Sequence, residues 1–440
     1  LWRMSGRAQL ARRDGAGAAA AFAHALALAP ADAALHFDHG VALQRAGDAT
    51  GAARAYQRAL TFAPDMAAAD FNLGVLFQQQ GNHRAAIAAY RNALAGDPAH
   101  AAAYKNLGEA LFADGQIDAW QANFRAFEAR CPTALALAVY ALEACQYRAD
   151  FARLDRYLDG LRRDEFKADG DEALADALEE LLYLLLFFDV EPATTLRYAQ
   201  AYDAVSRRLH GAPLPPPAAR RPGPVRLGYL SADLRDHVMG KMMWPVVAHH
   251  DRARFDLYFY STSSVRDEWT EKFAAAGTRF DVVAALDDAA AAARIAVDDL
   301  DLLVDLSTHT RGARPGILAH KPARVQITHV ASAGTVGLAA VDYKLTDRYA
   351  DVPESQAFQI ERMLVMDGCV FPYRSVPPAA QHPFERARLA IAPDAIVIGA
   401  FVNPLKLSRR CLRLWRDVLA RIPRAKLAFS RPGIRLNTSV

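Results

Sequence analysis

Residues 51–81 read GAARAYQRALTFAPDMAAADFNLGVLFQQQG, and residues 85–115 read AAIAAYRNALAGDPAHAAAYKNLGEALFADG. Shifted by 34 positions, the two stretches place the same kinds of residue at the same landmarks. The shift governs the whole front of the chain. Pro30, Pro64, Pro98 and Pro132 obey it, as do Gly40, Gly74 and Gly108, then Gly47, Gly81 and Gly115, then Phe22, Tyr56, Tyr90 and Phe124. Each unit holds a small residue where helices cross, an aromatic, a turn glycine and a closing proline, which describes a helix-turn-helix repeat.

A 34-residue unit of this kind is the tetratricopeptide (TPR) signature. One helix pair cannot bury its apolar face alone, so neighbours stack into a solenoid with a groove suited to extended peptide. We assign 1–134 to this array; a plainer reading has it only spacing or dimerising the chain. From 135 to 210 the period fades but helical patterning persists, as in ALADALEELLYLLLFF, which we read as irregular helices closing the solenoid. GAPLPPPAARRPGP (211–224) is proline-rich, cannot continue a helix, and reads as a linker.

From Val225 the pattern changes. VRLGYLS, FDLYFYS, LDLLVDLS, RVQITHV, YKLT, IVIGAFV and KLAFS are strand-like and alternate with helical stretches near 240–250, 268–276, 286–296 and 409–421. Such alternation predicts a mostly parallel α/β sheet covered on both faces. Ligands of open sheets sit beyond the carboxyl ends of the strands. Four loops there are chemically rich: ADLRDH with Asp236 and His237, STHTRGAR with His309, Thr310 and Arg314, the small-residue loop ASAGTVG, and NPLKLS with Asn403 and Lys406 ahead of a helix. Taken singly, each residue has a plainer role, such as Asp236 capping the following helix. Their convergence on one sheet edge suits a substrate with an anionic leaving group.

Composition narrows the classes. The 440 residues carry 52 Lys plus Arg against 49 Asp plus Glu, a net charge of +3, which gives no electrostatic case for nucleic acid. Every apolar run stops short of the roughly 18–20 residues that span a membrane. Cys131, Cys145, Cys369 and Cys411 show no metal-ligand spacing and fit a reducing compartment, so the expectation is a cytoplasmic protein with no metal or cofactor. The basic, Ala-rich start could be mistaken for a targeting segment, but its Ala-rich part reads as belonging to the repeat.

The TPR units followed by LGYLSADLRDH, LLVDLSTHTRGAR, KPARVQITHVASAGTVGLAAVDYKLTD and IGAFVNPLKLS resemble the O-GlcNAc transferase family, including its SPINDLY-type O-fucosyltransferase branch. The resemblance implies a TPR superhelix ahead of a two-lobed GT-B glycosyltransferase, with Rossmann-like lobes at 225–390 and from 391 onward. It implies metal-free transfer of GlcNAc from UDP-GlcNAc to Ser or Thr of proteins held by the TPR groove. By position, His237, His309 and Asp236 would line the reacting side; Lys406, Asn403, Thr335 and Gly337 would bind the donor. Two sequence departures stand out. Ala331, Ser332 and Ala333 replace the family's Gly-Tyr-Pro, and Val402 replaces a polar residue. A third expectation is that 391–440 is only the start of the second lobe, so that the chain is truncated. Two alternatives remain open: a TPR scaffold with a degenerate transferase domain, and an O-fucosyltransferase using GDP-fucose, toward which the STHT setting of His309 leans.

Overall fold

The computed structural model describes residues 1–11, 14–215, 220–330, 333–372, 386 and 391–429. Ala331 and Ser332, the middle of the linker, the boundary at 390 and everything after 429 lie outside the described residues.

The front of the chain is a stack of antiparallel helices. They are α1 (Trp2–Ala11), α2 (Gly15–Leu28), α3 (Ala33–Arg45), α4 (Ala49–Phe62), α5 (Ala67–Gln79), α6 (His83–Gly96), α7 (Ala101–Ala113), α8 (Ile117–Arg130), α9 (Leu135–Tyr147) and α10 (Phe151–Arg162). The side chains of Asp14, Asp48 and Asn82 accept the orphan amides of Gly17, Gly51 and Ala85, so the cap itself recurs with the repeat. The recurring aromatic and glycine are one contact. Tyr90 is fully buried, and a Cβ on Gly74 would sit 2.5 Å from its ring; Tyr56 and Gly40 repeat the arrangement. The helix spacing continues through α9 and α10, past the limit at 134 that the sequence suggests. The landmarks vanish there because α9 is packed nearly all round, with ten of its 13 residues buried and α11 (Asp171–Leu184) lying across it. A buried helix needs apolar side chains everywhere, which erases the stripe that advertises a repeat.

A short 3₁₀ turn at Leu185–Phe187 and α12 (Pro192–His210) lead to the sheet. Its strands are β1 (Val225–Ser231), β2 (Phe255–Ser261), β3 (Arg279–Val282), β4 (Leu302–Asp305), β5 (Val325–His329), β6 (Tyr343–Asp347) and β7 (Arg362–Met366). All neighbours run parallel, in the order β3-β2-β1-β4-β5-β6-β7. The two strands not anticipated, β3 and β7, are the edges, where half-exposed residues blur the apolar run. One face packs on α13 (Val238–Ala248) and α14 (Glu268–Ala276) through Met243, Val247 and Phe273. The other carries α15 (Asp288–Ala296) and α16 (Pro315–Ala319), and its core is continuous with that of the array, from Tyr90 through Leu142 and Tyr202 to Leu303. Beyond Ile391, β8 (Ile396–Ala400), α17 (Arg409–Arg421) and β9 (Ala425–Phe429) form one parallel strand-helix-strand unit. No helix among the described residues is long and apolar enough to cross a membrane.

Candidate active site

The strand order reverses between β1 and β4, so their outgoing loops diverge and leave a crevice, the usual ligand position in an open parallel sheet. Ser231 and Ser307, at the two strand ends, are hydrogen-bonded at 3.2 Å.

The loop after β1 folds around Asp233, which is buried. Its carboxylate lies 3.3 Å from Arg235 Nη2 and 3.3 Å from His237 Nδ1. The same Nδ1 is 3.3 Å from the Met239 amide at the start of α13. A proton on Nδ1 ties His237 to Asp233; without it the ring caps the helix. Either way one nitrogen is occupied and Nε2 is the one left to act. Gly240 permits this packing, since a Cβ there would meet the carbonyl oxygens of Arg235 and Asp233 at 2.5 and 2.8 Å. Asp236 does not join this arrangement. It is exposed and paired with Lys241, and its amide donates to Asp267 at 2.7 Å. The helix cap foreseen for Asp236 is supplied by His237.

After β4, Asp305 accepts the amides of Ser307 (3.1 Å) and Thr308 (2.8 Å) and bends the chain sharply. Thr308 is held at φ 51°, a costly conformation for a β-branched residue, and Val330 after β5 sits at φ 61°. Strain thus collects in the loops leaving β4 and its neighbour β5. His309 is buried, donates Nε2–H to the Val336 carbonyl at 2.8 Å, and meets the Tyr202 ring edge-on at 5.5 Å. Burial pushes its pKa down to about 4, so the ring is neutral near pH 7. The sequence suggests this ring for the site wall; the structure puts it underneath, and the neighbouring Thr310 faces the cleft. Arg314 is committed to Asp288 at 2.7 Å.

Thr335 and Gly337 also differ from expectation. The buried Glu361 carboxylate accepts the Thr335 hydroxyl at 2.6 Å and the amides of Val336 and Gly337 at 2.8 and 3.1 Å. Burial pushes the Glu361 carboxyl upward. The amides predicted to cradle a donor are used internally, because a buried carboxylate needs such partners. Asn403 likewise turns inward: its side chain accepts the Leu405 amide at 3.1 Å and its carbonyl accepts that of Lys406 at 2.8 Å.

Lys406 faces open space beside the sheet loops. It is exposed, its Nζ lies 5.5 Å from the centre of the Phe187 ring, and it lines a cleft of about 860 Å³ together with Thr310 and Ala333. The far wall belongs to the helical region, from α10 and the turn after α11. Leu405 in the core and a 2.6 Å bond from Gln146 to the Leu407 carbonyl fix the Lys406 turn to that region. The structure therefore brings Lys406 and Thr310 together. It leaves His237 on the neighbouring loop, off the lining of this cleft. Asp233 had a faint signal, four residues before His237; Glu361 had none. Among the described residues, no group of three His, Cys, Asp or Glu side chains is placed to hold a metal ion.

Residues 202–371 match glycosyl transferase family 41, and residues 3–67 and 71–119 match tetratricopeptide repeats. The probable UDP-N-acetylglucosamine–peptide N-acetylglucosaminyltransferase SPINDLY of Arabidopsis thaliana is 28% identical over 211 residues, 46% of this chain and 22% of that protein. SEC of the same plant is 25% identical over 260 residues, 56% of this chain and 27% of its own length. The chain thus spans about a quarter of these relatives. A point mutant of the Thermobaculum terrenum O-GlcNAc transferase superposes with a TM-score of 0.58 at 27% identity, over 91% of this chain and 68% of that one. Residues 202–371 thus carry a glycosyl transferase family 41 domain behind tetratricopeptide repeats, and the chain is similar to O-GlcNAc transferases over most of its length.

Proposed function

We propose that the protein transfers GlcNAc from UDP-GlcNAc to Ser or Thr hydroxyls of proteins, and that the helical array presents the acceptor. The observation that carries this reading is the cleft shared by Thr310, Lys406 and the helical wall beside the β1/β4 crevice. Lys406 has no carboxylate partner among the described residues and lines the cleft together with Thr310, and it would offset charge gathering on the departing diphosphate. The acceptor oxygen bonds to the anomeric carbon as the bond to the diphosphate oxygen breaks, and UDP leaves with the electron pair. The hydroxyl proton is assigned to His237 Nε2 on the loop beside the cleft, whose ring Asp233 orients from behind, the logic of a carboxylate-held imidazole base. His309 stays neutral and holds the Val336 loop in place.

Donor choice is tested by calorimetric titration of the chain with UDP-GlcNAc, UDP and GDP-fucose. Saturable UDP-GlcNAc binding, weakened about tenfold or more by Lys406→Met, is the expected result. Preference for GDP-fucose would move the protein to the fucosyl branch, for which the STHT loop was the sequence argument. Binding of neither donor by folded protein would leave a TPR interaction protein with a silent transferase domain.

A further inference from the structure

The cleft carries more positive charge than a donor diphosphate requires. Lys406, Arg409, Arg410 and Arg413 line it, against Asp155 and Asp189. Arg409 is neutralised by Asp155 at 2.9 Å and lies over the Phe151 ring at 5.1 Å. Arg410 and Arg413 are exposed and have no carboxylate partner among the described residues. They share a face of α17 at i, i+3, and Arg413 lies one helical turn, about 5 Å along the axis, beyond Arg409. The opposite wall is aromatic and aliphatic, with Phe151, Leu154 and Leu158 on α10. Apolar walls lower the local dielectric and strengthen any charge pair formed against them.

We propose that this arm of the cleft, through Arg410 and Arg413, selects protein acceptors that carry Asp or Glu beside the modified hydroxyl. The inference rests on the transferase reading above. An extended peptide advances about 3.3 Å per residue, so carboxylates roughly two to four positions from the hydroxyl would reach the guanidinium groups. Those can grip a carboxylate through paired N–H bonds. Along this path the acceptor lies between α10 and α17, beside the array rather than wholly inside its groove.

The test is fluorescence anisotropy on the full chain with three Ser-containing peptides of equal length, flanked by Asp/Glu, by Ala or by Lys, at about 0.05 and 0.5 M salt. The acidic peptide should bind about tenfold tighter than the neutral one at low salt, and the gap should shrink at high salt. In Arg410→Ala/Arg413→Ala the acidic-to-neutral ratio should fall to about one, and Arg410→Glu/Arg413→Glu should favour the Lys-flanked peptide. Equal binding of acidic and neutral peptides, no peptide binding, or a preference untouched by both double variants overturns the inference. UDP titrated into the same samples separates the two proposals. UDP binding without acidic preference sinks only this one, and acidic preference without UDP binding sinks only the donor reading.

Discussion

Glu361 shows what a single residue decides here. It lies more than twenty positions from the Thr335–Gly337 loop in sequence, yet its carboxylate takes two amides and a hydroxyl of that loop, and the loop's Val336 carbonyl in turn takes His309. Replacing Glu361 by Gln turns one acceptor oxygen into an NH2 group, which must either face the two amides or reverse the bond with the Thr335 hydroxyl. We expect a loss of about 2–3 kcal/mol in urea unfolding, whereas Thr335→Val, which removes one of the three bonds, should cost about 1 kcal/mol. Equal effects would mean that the clasp is not where the energy lies. His237 and Lys406 were legible because a loop after a strand, carrying an imidazole or an ammonium group, advertises itself. Thr335, Gly337, Asn403 and Asp236 have the same chemical vocabulary, but the structure commits them to internal bonds or surface pairs, and it buries His309 with Nε2 on the Val336 carbonyl. Whether a polar atom is free depends on its neighbours in space, which residue type and spacing do not encode.

At the scale of elements, the repeat owes its period to a shape match inside each helix pair. A methyl on Gly74 would press into the Tyr90 ring, which is itself fixed by a 2.7 Å bond from its hydroxyl to Gln78. Gly74→Ala should therefore destabilise the array by about 1–3 kcal/mol despite the better helix propensity of Ala. Thermal unfolding followed by circular dichroism reads it, and a stabilised variant would refute the steric account. Gly108 keeps the period but not the partner: its Cβ would meet the Tyr140 hydroxyl on α9. By that point the array has begun to pack on the irregular helices of its carboxyl end. The fading of the period near 134 has the same origin, since α9 keeps the helix spacing while its surroundings demand a different surface.

At the scale of the molecule, array and sheet share one core, and ionisable groups are caught along it. Burial raises Glu143 on α9 to about 7 and Glu179 on α11 to about 8, the latter helped by Asp176 and Asp288. A carboxyl whose folded pKa exceeds its unfolded value adds stability that is complete below about 4.3 and is lost as pH rises through the folded value. Burial lowers His309 and His329 to about 4, so the stability they add is present above about 6.5 and is lost as pH falls toward 4. The melting temperature should thus peak in weak acid and decline from about pH 6 to 9. Glu143→Gln/Glu179→Gln should flatten the alkaline side in a scan of melting temperature against pH; an unchanged slope would show that other groups set it. The sequence by itself determined the helical repeats, the parallel α/β domain and the four loops at its edge, because period, strand patterning and turn residues are local and each repeats its own physics. Only the tertiary structure decided that α10 faces Lys406 and α17 across the cleft, that Asp233 stands behind His237, and that Glu361 closes the small-residue loop. Those are contacts between distant parts of one core, and burial, which sets their strength, is a property of the packed chain rather than of any segment.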